Sequence, residues 1–385
     1  MCKSQPLLTI SVITWNRCRF LQDFLASVDT QSCEIDPREV EVVVSDNASE
    51  DATPEVVADF KRTSTLPVQY FRNETNVGSV KNMLLALQRS TGRFWMFYGD
   101  DDLVPAGRLK QIISLLAQHR DQPAVLFQGE GDSPPVPNVT QPTAITLTEA
   151  ARSYFYPFGN PGRFAVRTDL ALTAMDELPE VATITWPQTA IGFTAMWVSS
   201  NAKPLLLAPF PGGASPNHSR NTIYTMSYVW CTMYRDLLHC AWMVRQRIGN
   251  REIRQNVYDA ACFHLFSWSR IKSLTIQLLI YSLIEDQPAV RRVRGSVRRT
   301  VRRLPLRLLP YGMIPWIVLL LPKWFRFGVA WLAQRMHWLV SGSSLRVSLR
   351  QRIATAKAEL LSAGNGRKDE RRFSIDEEEL WRTEC

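Results

Sequence analysis

The sequence predicts an α/β protein in which a Rossmann-like, mostly parallel sheet lies between helices and is followed by a helical C-terminal region. In the first third of the chain, short β-branched or aromatic runs alternate with segments whose apolar residues recur at helical spacing. Short connections join these segments, which is typical of right-handed β-α-β crossovers in a three-layer fold. After residue 224 many apolar and aromatic residues recur at helical spacing, and this predicts the C-terminal helices.

Strands and helices are expected to alternate along the first 130 residues. The strands are expected at Leu7–Ile13, Val40–Val44, Val68–Phe71, Phe94–Tyr98 and Ala124–Gln128. The helices between them are expected to begin near Phe20, Thr53, Ser79 and Pro105. Polar clusters lie at the ends of these strands or approach the next helix, so we expect a ligand-binding edge at the carboxyl ends of the strands.

The most apolar of these runs, Phe94–Tyr98, is followed by Gly99 and then by three consecutive aspartates, Asp100–Asp102. An uninterrupted apolar run is typical of a strand that is buried on both faces. Adjacent carboxylates repel one another and favour a cation, and such oxygen ligands suit Mg²⁺ or Mn²⁺. The metal ion would hold a diphosphate and neutralise a leaving group. The alternative is that one aspartate caps the helix near Pro105 and the other two are solvated.

The composition is that of a globular protein, with 45% hydrophobic and 21% charged residues. The 385 residues suffice for one large domain with an appendage, or for two domains. Seven scattered cysteines without C-x-x-C spacing argue against a zinc site or a disulfide framework and favour a reducing cytosol. The first apolar stretch is too short for a signal peptide, so we expect the catalytic part inside the cell.

The basic residues are unevenly distributed, since Arg291–Arg307 contains eight arginines and no acid. The apolar run that follows, Leu308–Lys323, is interrupted by Pro310, Pro315 and Pro322 and is too short for a spanning helix. Arginines beside Trp, Leu and Phe suit the interface of an anionic leaflet, so we expect this segment to associate with a membrane. The alternative is an internal helical pair with an exposed basic face.

Four motifs at the predicted strand ends carry a resemblance to a known family. They are Ile10–Arg17 (ISVITWNR), Val44–Asp51 (VSDNASED), Asn73–Gly78 (NETNVG) and Gly99–Pro105 (GDDDLVP). In order and spacing they resemble the GT-A fold glycosyltransferases of family 2, and in particular the abequosyltransferase-like branch that builds bacterial surface polysaccharides such as O-antigen. The resemblance covers about residues 6–130.

The resemblance implies a nucleotide-diphosphate sugar donor, a divalent metal ion (Mg²⁺ or Mn²⁺) and usually inversion at the anomeric carbon. The implied donor-binding residues are Thr14, Asn16, Arg17, Asp46, Asn76, Gly78 and Asp100. Asp46 would contact the donor base, and its alternative is a turn-forming role without a ligand. Asn16 is also a natural helix N-cap. The implied metal ligands are Asp101, Asp102 and His218, the alternative for His218 being a surface loop histidine.

No motif identifies the base that would deprotonate the acceptor hydroxyl. Family members often supply it from a Glu-Asp pair, but the equivalent segment here, Thr185–Gln188, contains no carboxylate. Glu177 and Glu180 are candidates in the expected window, and each is otherwise a surface charge. Trp186 and Gln188 are expected to contact the acceptor, with the Trp186 ring stacked on a sugar face unless it is a core residue.

These observations predict a catalytic domain at residues 1–222, whose donor half ends near 130 and whose acceptor half follows. A helical region with the membrane-interface segment is expected at 223–340, and a charged tail at 341–385. The expected enzyme is a metal-dependent, inverting glycosyltransferase acting on a saccharide or lipid-linked saccharide at the cytoplasmic face of the cell membrane. One alternative is a nucleotidyltransferase. Such an enzyme would need a phosphate-binding loop with glycine and lysine near the first strand, and Thr14–Arg19 contains neither residue. The other alternative is a polyanion-binding protein that acts through Arg291–Arg307.

Overall fold

The computed structural model describes residues 5–128, 139–155, 160–200, 205–211, 215–216, 230, 234–284, 287–322 and 325–326. The chain forms two compact units. The first contains Met1–Arg220 and His239–His264, and the second contains Asn221–Leu238 and Leu265–Cys385. The charged tail predicted at 341–385 lies outside the described residues.

The first unit contains ten strands and nine α-helices in its described part, and they alternate from β1 to β4. The strands are β1 (Leu8–Thr14), β2 (Val40–Asp46), β3 (Val68–Arg72), β4 (Phe94–Gly99), β5 (Asp102–Leu103), β6 (Ala124–Gln128), β7 (Thr143–Ile145), β8 (Phe164–Arg167), β9 (Leu205–Pro211) and β10 (Ser215–Pro216). The helices are α1 (Cys18–Asp29), α2 (Thr53–Thr63), α3 (Ser79–Gln88), α4 (Arg108–Gln118), α5 (Leu147–Tyr154), α6 (Thr168–Glu177), α7 (Pro187–Ser200) and, largely within this unit, α8 (Asp236–Arg247) and α9 (Arg251–Leu265).

The main sheet has eight strands in the order β3-β2-β1-β4-β8-β6-β9-β7. β1 pairs in parallel with β2 and β4, and β2 pairs in parallel with β3. All five strands expected from the sequence are present, so the Rossmann-like sheet is confirmed. However, β8 lies antiparallel between β4 and β6, and β7 pairs antiparallel with β9. These two strands are short, which is why periodicity alone did not predict them, and they make the sheet mixed.

Burial explains the apolar runs of the central strands. β2 is buried along its whole length, and β4 is buried from Phe94 to Tyr98. Trp95 is fully buried, and its indole Nε1 donates a hydrogen bond of 2.7 Å to Ser11 Oγ of β1. Gly92 lies so close to β1 that a Cβ atom there would come within 2.6 Å of the Thr9 nitrogen. Close packing of β1 against β4 therefore fixes the strand that leads to the three aspartates.

A buried carboxylate ties the amino-terminal ends of these strands together. Glu41, the second residue of β2, is 2% exposed. It accepts hydrogen bonds from Gln69 Nε2 at 2.8 Å, Thr91 Oγ1 at 2.7 Å and the Gly92 nitrogen at 3.0 Å, and also from the Thr9 hydroxyl. A buried carboxyl group with this many donors has its hydrogen-bonding capacity satisfied. The network lies at the edge of the sheet opposite to the predicted ligand-binding edge.

Beyond α9, the described part of the second unit includes the α-helices α10 (Trp268–Ile284), α11 (Gln287–Val301) and α12 (Leu309–Leu320). α12 packs against α10 and α11. Gly312 permits this close contact, because a Cβ atom there would lie 2.5 Å from Leu304 Cδ1. The C-terminal helices expected from the sequence are thus present. Among the helices that the structure describes, none is long and apolar enough to cross a bilayer.

Candidate active site

Four parallel strands end at one edge of the sheet. Thr14 of β1 lies in register with Asp46 of β2, which in turn lies beside Arg72 of β3. On the other side of β1, Ile13 lies beside Gly99, the last residue of β4. The four sequence motifs are therefore collected where open α/β sheets bind their ligands.

An ion-pair cluster joins the end of β4 to the turn between β1 and α1. Arg17 Nη1 lies 2.8 Å from Asp100 Oδ1, and Arg17 Nη2 donates a hydrogen bond of 2.8 Å to Asp101 Oδ2. Thr14 Oγ1 donates a hydrogen bond of 2.8 Å to Asp100 Oδ2. The guanidinium also lies over the Phe20 ring, 4.6 Å from its centroid. Two of the adjacent carboxylates therefore share a cation.

Burial governs the acid-base properties of this cluster. Asp100 is 3% exposed, and burial raises its pKa to about 7, while the Arg17 guanidinium and the Thr14 hydroxyl act in the opposite direction. Burial would by itself lower the pKa of Arg17, but Asp100 and Asp101 outweigh this effect and raise it. Asp100 is thus a carboxyl group that exchanges its proton near neutral pH, and additional positive charge would favour its ionised form.

Gly99 allows the aspartates to fold back over the end of β4. A Cβ atom at Gly99 would lie 3.0 Å from Asp101 Oδ1 and 3.1 Å from Asp102 Oδ2. Asp102 is 4% exposed, and its Oδ2 accepts a hydrogen bond of 3.1 Å from the Gly99 nitrogen. The N-cap residue of α4 is Gly107, and no side chain caps that helix. The alternative in which one aspartate is a helix cap is therefore wrong.

Asn16 connects two turns and does not cap α1. Its φ angle is 53°, a left-handed conformation that asparagine tolerates better than most residues. Its Oδ1 accepts a hydrogen bond of 2.7 Å from the Glu50 nitrogen, and its own nitrogen donates one of 2.9 Å to Ser49 Oγ. At the start of α1, the Cys18 nitrogen donates instead to Asp51 Oδ2 at 2.9 Å. The N-cap interpretation of Asn16 is wrong, and its contact with a donor stays a prediction.

Asp46 is fully buried and builds the turn after β2. Its Oδ1 accepts hydrogen bonds from the Ser49 nitrogen at 2.9 Å and from Ser49 Oγ at 2.5 Å, which makes the turn-forming role a fact of the structure. Its Oδ2 accepts a hydrogen bond of 2.6 Å from the Tyr70 hydroxyl and lies 3.6 Å from Arg72 Nε. Burial and Asp46 raise the pKa of Tyr70. Within the same turn Ala48 has a φ of 64°. The predicted contact of Asp46 with the donor base stays a prediction.

The third motif forms a turn that is tied to the second. Asn47 Nδ2 donates a hydrogen bond of 2.8 Å to Asn76 Oδ1, and Asn47 Oδ1 accepts one of 2.9 Å from the Val77 nitrogen. Asn76 Oδ1 also accepts from the Gly78 nitrogen at 2.9 Å, and Gly78 has a φ of 86°, which glycine adopts without strain. Asn76 and Gly78 therefore shape the loop between β3 and α3, while their contact with a nucleotide stays a prediction.

A buried asparagine of α3, Asn82, which was not among the predicted site residues, stabilises the start of the loop between β3 and α3. Asn82 of α3 is 1% exposed, accepts hydrogen bonds from Ser45 Oγ at 2.7 Å and Asn73 Nδ2 at 2.9 Å, and donates one of 2.8 Å to the Ser45 carbonyl. Arg89 Nη1 adds a hydrogen bond of 2.9 Å to Ser45 Oγ. A polar residue on the apolar face of a helix, as at position 82, was the available signal.

The two candidate bases lie on the surface of the first unit. Glu177 is exposed, and its carbonyl oxygen accepts two hydrogen bonds from Arg247, at 2.6 Å and 2.9 Å. Arg247 also forms an ion pair with Glu180, with 3.4 Å between Nη2 and Oε1. These contacts describe a structural role for both glutamates, and none of the hydrogen bonds described joins either to the aspartate cluster. Their catalytic role stays a prediction.

Trp186 and Gln188 lie at the start of α7. Trp186 is half-buried, and its carbonyl oxygen accepts a weak hydrogen bond of 3.6 Å from Cys240 Sγ. Gln188 is 3% exposed. The partial exposure of Trp186 is compatible with contact to a sugar, whereas Gln188 would need a change in its surroundings to reach an acceptor. The acceptor contacts of both residues stay predictions.

His218 lies outside the described residues, but the chain that leads to it is placed. Pro216 of β10 pairs with Asp102 of β5, and Ser215 pairs with Leu103, in an antiparallel ladder. The backbone two residues before His218 therefore runs beside one of the three aspartates. The role of His218 as a metal ligand stays a prediction.

The aspartate cluster fits a divalent cation in its chemistry. Carboxylate oxygens are the ligands that Mg²⁺ and Mn²⁺ prefer, and Asp100 and Asp101 already share the positive charge of Arg17. The described side chains contain no group of three or more His, Cys, Asp or Glu residues arranged as a metal site. A metal would therefore have to draw on a residue beyond them, or on a rearrangement of Arg17.

Comparison with known proteins agrees with this geometry. Residues 9–163 match the model of the family Glycosyl transferase family 2. Abequosyltransferase RfbV of Salmonella typhimurium is 28% identical over 121 residues, which are 31% of this chain and 34% of that protein. A GalNAc(5)-diNAcBac-PP-undecaprenol beta-1,3-glucosyltransferase of Campylobacter jejuni is 30% identical over 109 residues, which are 28% of this chain and 34% of that protein. The chain thus matches about a third of the length of these relatives.

Solved structures share the fold over a longer part of the chain. S. aureus TarS 1–349 matches with a TM-score of 0.54 and 18% identity, covering 83% of this chain and 91% of that chain. The same protein in complex with UDP-GlcNAc matches with a TM-score of 0.57 and 16% identity, covering 83% of this chain and 92% of that chain. The resemblance carried by the four motifs is confirmed, because residues 9–163 match the glycosyltransferase family 2 model.

Proposed function

We propose that this protein transfers a sugar from a nucleotide-diphosphate donor to a saccharide or lipid-linked saccharide during synthesis of a cell-surface polysaccharide. The observation that carries the proposal is the cluster of Arg17, Asp100 and Asp101 at the carboxyl edge of the parallel strands. It brings a buried carboxyl group and a cation together at the position where sheets of this type bind nucleotides. The family match and the complex of TarS with UDP-GlcNAc support this choice of donor.

The donor half supplies groups that suit a nucleotide diphosphate. The residues assigned to the donor are Thr14, Asn16, Arg17, Asp46, Asn76, Gly78 and Asp100. The Arg17 guanidinium presents a planar fork of N–H donors, which pairs well with phosphate oxygens as well as with carboxylates. When the sugar leaves, negative charge grows on the diphosphate, and a cation held at this edge stabilises that charge.

The proposal includes a divalent metal ion, Mg²⁺ or Mn²⁺, held by Asp101 and Asp102. When bound, such an ion neutralises charge on the diphosphate leaving group. His218 is the proposed third ligand, and the pairing of Pro216 with Asp102 supports this because it brings the preceding backbone to the cluster. Asp100 is then left to Thr14 and Arg17, which hold it by hydrogen bond and ion pair.

Transfer with inversion needs a base that removes the proton from the acceptor hydroxyl. We assign this role to Glu177 or Glu180, the carboxylates of the expected window. Trp186 would stack on the acceptor sugar, and Gln188 would donate to or accept from its hydroxyls. The half-buried state of Trp186 supports the first of these roles.

A lipid-linked acceptor and a position at the cytoplasmic face of the membrane belong to the same proposal. The C. jejuni relative is named for a saccharide joined to undecaprenol. The eight arginines between Arg291 and Arg307 suit an anionic leaflet. A nucleotidyltransferase is less well supported because the turn after β1 has no glycine or lysine with which to hold a triphosphate.

Calorimetric titration with UDP, GDP, CDP and dTDP, each with and without Mn²⁺, tests the proposal. We expect one nucleotide to bind selectively and more tightly with Mn²⁺. Asp101→Asn should weaken that binding roughly tenfold to a hundredfold, the effect of losing a charged partner. Asp59→Asn is the matched control, because the Asp59 side chain is 77% exposed and pairs only weakly with Arg62.

Two outcomes would overturn the proposal. The first is that the folded protein binds none of the four nucleotides. The second is that Asp101→Asn binds the nucleotides with the affinity of the native protein, while replacing the arginines of 291–307 with neutral residues abolishes the activity of the protein. The second result would favour a polyanion-binding protein.

A further inference from the structure

We propose that the outward faces of α11 and α12 dock this protein on an anionic phospholipid bilayer, with α12 lying in the plane of the membrane interface. The inference deepens the proposed function and rests on it for its purpose, which is access to an acceptor carried by a membrane lipid. The docking surface has two parts, an apolar stripe along α12 and the exposed arginines of α11. Both parts belong to the second unit.

The apolar stripe consists of Leu306, Pro310, Met313, Ile317 and Leu320, all of which are exposed. Intervals of three and four residues place Pro310, Met313, Ile317 and Leu320 on one side of α12, and Leu306 lies in the short 3-10 turn just before the helix. Leu306 is 85% exposed, Leu320 47% and Ile317 46%. At a rise of about 1.5 Å per residue the stripe is roughly 20 Å long. Contiguous exposed apolar surface of this kind marks an interaction site.

The opposite side of α12 fixes the orientation of the stripe. Its buried residues are Gly312, Pro315 and Leu319, and Leu308 is buried in the turn just before the helix. A Cβ atom at Gly312 would lie 2.5 Å from Leu304 Cδ1 and 3.2 Å from Val301 Cγ2, so this side is in close contact with the end of α11. Rotating α12 to hide the stripe would therefore force Gly312 away from its contact and expose Leu308 and Leu319.

The arginines of α11 and of the turn after it are largely exposed. The exposed arginines of this helix and of the turn after it are Arg291, Arg292, Arg298, Arg299, Arg302 and Arg307. On the other side of α11, the buried residues include Val290, Val293, Val297 and Val301. Arg307 directly follows Leu306, the first residue of the stripe. Between residues 287 and 322 the sequence contains no aspartate or glutamate.

An exposed aromatic pair connects the start of α10 with α12. Trp268, the first residue of α10, is 61% exposed, and Tyr311 of α12 is 39% exposed. Their ring centroids are 6.5 Å apart in an edge-to-face arrangement. Trp and Tyr rings with one apolar and one polar end favour the headgroup level of a bilayer.

Charge decides which partner this surface fits. A second copy of the chain seated on the stripe would bring its own arginines towards those of α11, and like charges repel. A bilayer with anionic lipids offers hydrocarbon for the stripe and negative headgroups for the arginines at the same time. The surface therefore fits an anionic bilayer better than it fits another copy of the chain.

Vesicle sedimentation with the full chain tests the inference. We expect binding to phosphatidylcholine vesicles that contain phosphatidylglycerol, little binding to phosphatidylcholine alone, and weaker binding at high salt. Arg298→Gln with Arg302→Gln should weaken binding roughly thirtyfold, since each basic residue near an anionic surface contributes about a factor of five. Met313→Ser with Ile317→Ser should weaken it by roughly tenfold or more, because the inserted apolar area is lost.

The controls remove exposed basic and exposed apolar side chains elsewhere in the chain. They are Lys61→Gln with Arg62→Gln on α2, and Phe263→Ser on α9, where Phe263 is 44% exposed. These variants should bind vesicles as the native protein does. All the substituted residues are exposed, so circular dichroism should show that every variant folds.

Three results would overturn the inference. They are absence of binding to anionic vesicles, unchanged binding by both double variants, and a native dimer that Met313→Ser with Ile317→Ser converts to a monomer. Nucleotide titration of the same samples separates this failure from failure of the proposed function. A protein that binds a nucleotide but no vesicles disproves only the docking surface, and one that binds vesicles but no nucleotide disproves only the transferase.

Discussion

Replacing Asp100 with asparagine should remove a pH dependence of stability that the native protein shows near neutrality. Asp100 is 3% exposed, and burial raises its pKa from the ordinary 3.8 to about 7. The folded protein therefore holds this proton more firmly than the unfolded chain does. Protonation of Asp100 favours the fold at low pH, and this contribution is lost as the pH rises from about 4 through about 7.

The size of the effect follows from the two pKa values. The difference between a pKa of 3.8 in the unfolded chain and about 7 in the folded protein lowers the free energy of unfolding by about 4 kcal/mol once the pH is well above the folded pKa. Between pH 5 and pH 8, linkage gives a loss of roughly 2–3 kcal/mol in the free energy of unfolding. Asparagine cannot ionise, so Asp100→Asn should gain about this much relative to the native protein across the same interval.

Urea unfolding at a series of pH values, followed by tryptophan fluorescence, measures this difference. Only the change of the native-minus-variant difference with pH matters, because the effects of the substitution that do not depend on pH, such as altered packing, shift both ends alike. Asp59→Asn serves as the control, since this 77% exposed carboxylate should give a difference that barely changes with pH. A difference for Asp100→Asn that stays constant from pH 5 to pH 8 would refute the reasoning.

Three further predictions follow from named contacts. Arg17→Gln should raise the pH at which Asp100 loses its proton, because the guanidinium lowers the pKa of that carboxyl. Urea unfolding at a series of pH values, comparing Arg17→Gln with and without Asp100→Asn, measures this shift. An unchanged pH would count against the ion pair. Gly92→Ala should lower the free energy of unfolding by about 1–3 kcal/mol or more, because its Cβ atom would lie 2.6 Å from the backbone of β1. Gly249→Ala is the control, since a Cβ atom there has open space around it and should leave the free energy of unfolding nearly unchanged. Glu41→Gln should cost about 1–3 kcal/mol by placing an amide N–H₂ among donors, yet leave nucleotide affinity as in the native protein; weaker nucleotide binding by the folded variant would contradict its purely structural role.

The strands of the donor half were predictable because strands that are buried on both faces consist of contiguous apolar residues. β2 and β4 are buried on both faces, so their sequences need no neighbours in space to be recognised. β7 and β8 have three and four residues, too few to show a period of two. Only tertiary contact places β8 between β4 and β6, where its Val166 pairs with both Trp95 and Ala124.

For the site, the sequence alone determined which residues gather at the ligand-binding edge, because parallel strands bring their carboxyl ends together whatever else the chain does. It predicted that Thr14, Arg17 and Asp100–Asp102 would lie close together, and it carried a family resemblance over about residues 6–130, with which the family-model match over residues 9–163 agrees. What only the tertiary structure decided is the state of each group. Asp100 has a raised pKa because the fold excludes water from it, Arg17 spans two carboxylates because α1 begins where it does, and Asn16 bonds Glu50 instead of capping α1. The burial and the ion pairing of a side chain depend on contacts with residues that are far apart in the chain, and a local sequence pattern does not contain that information.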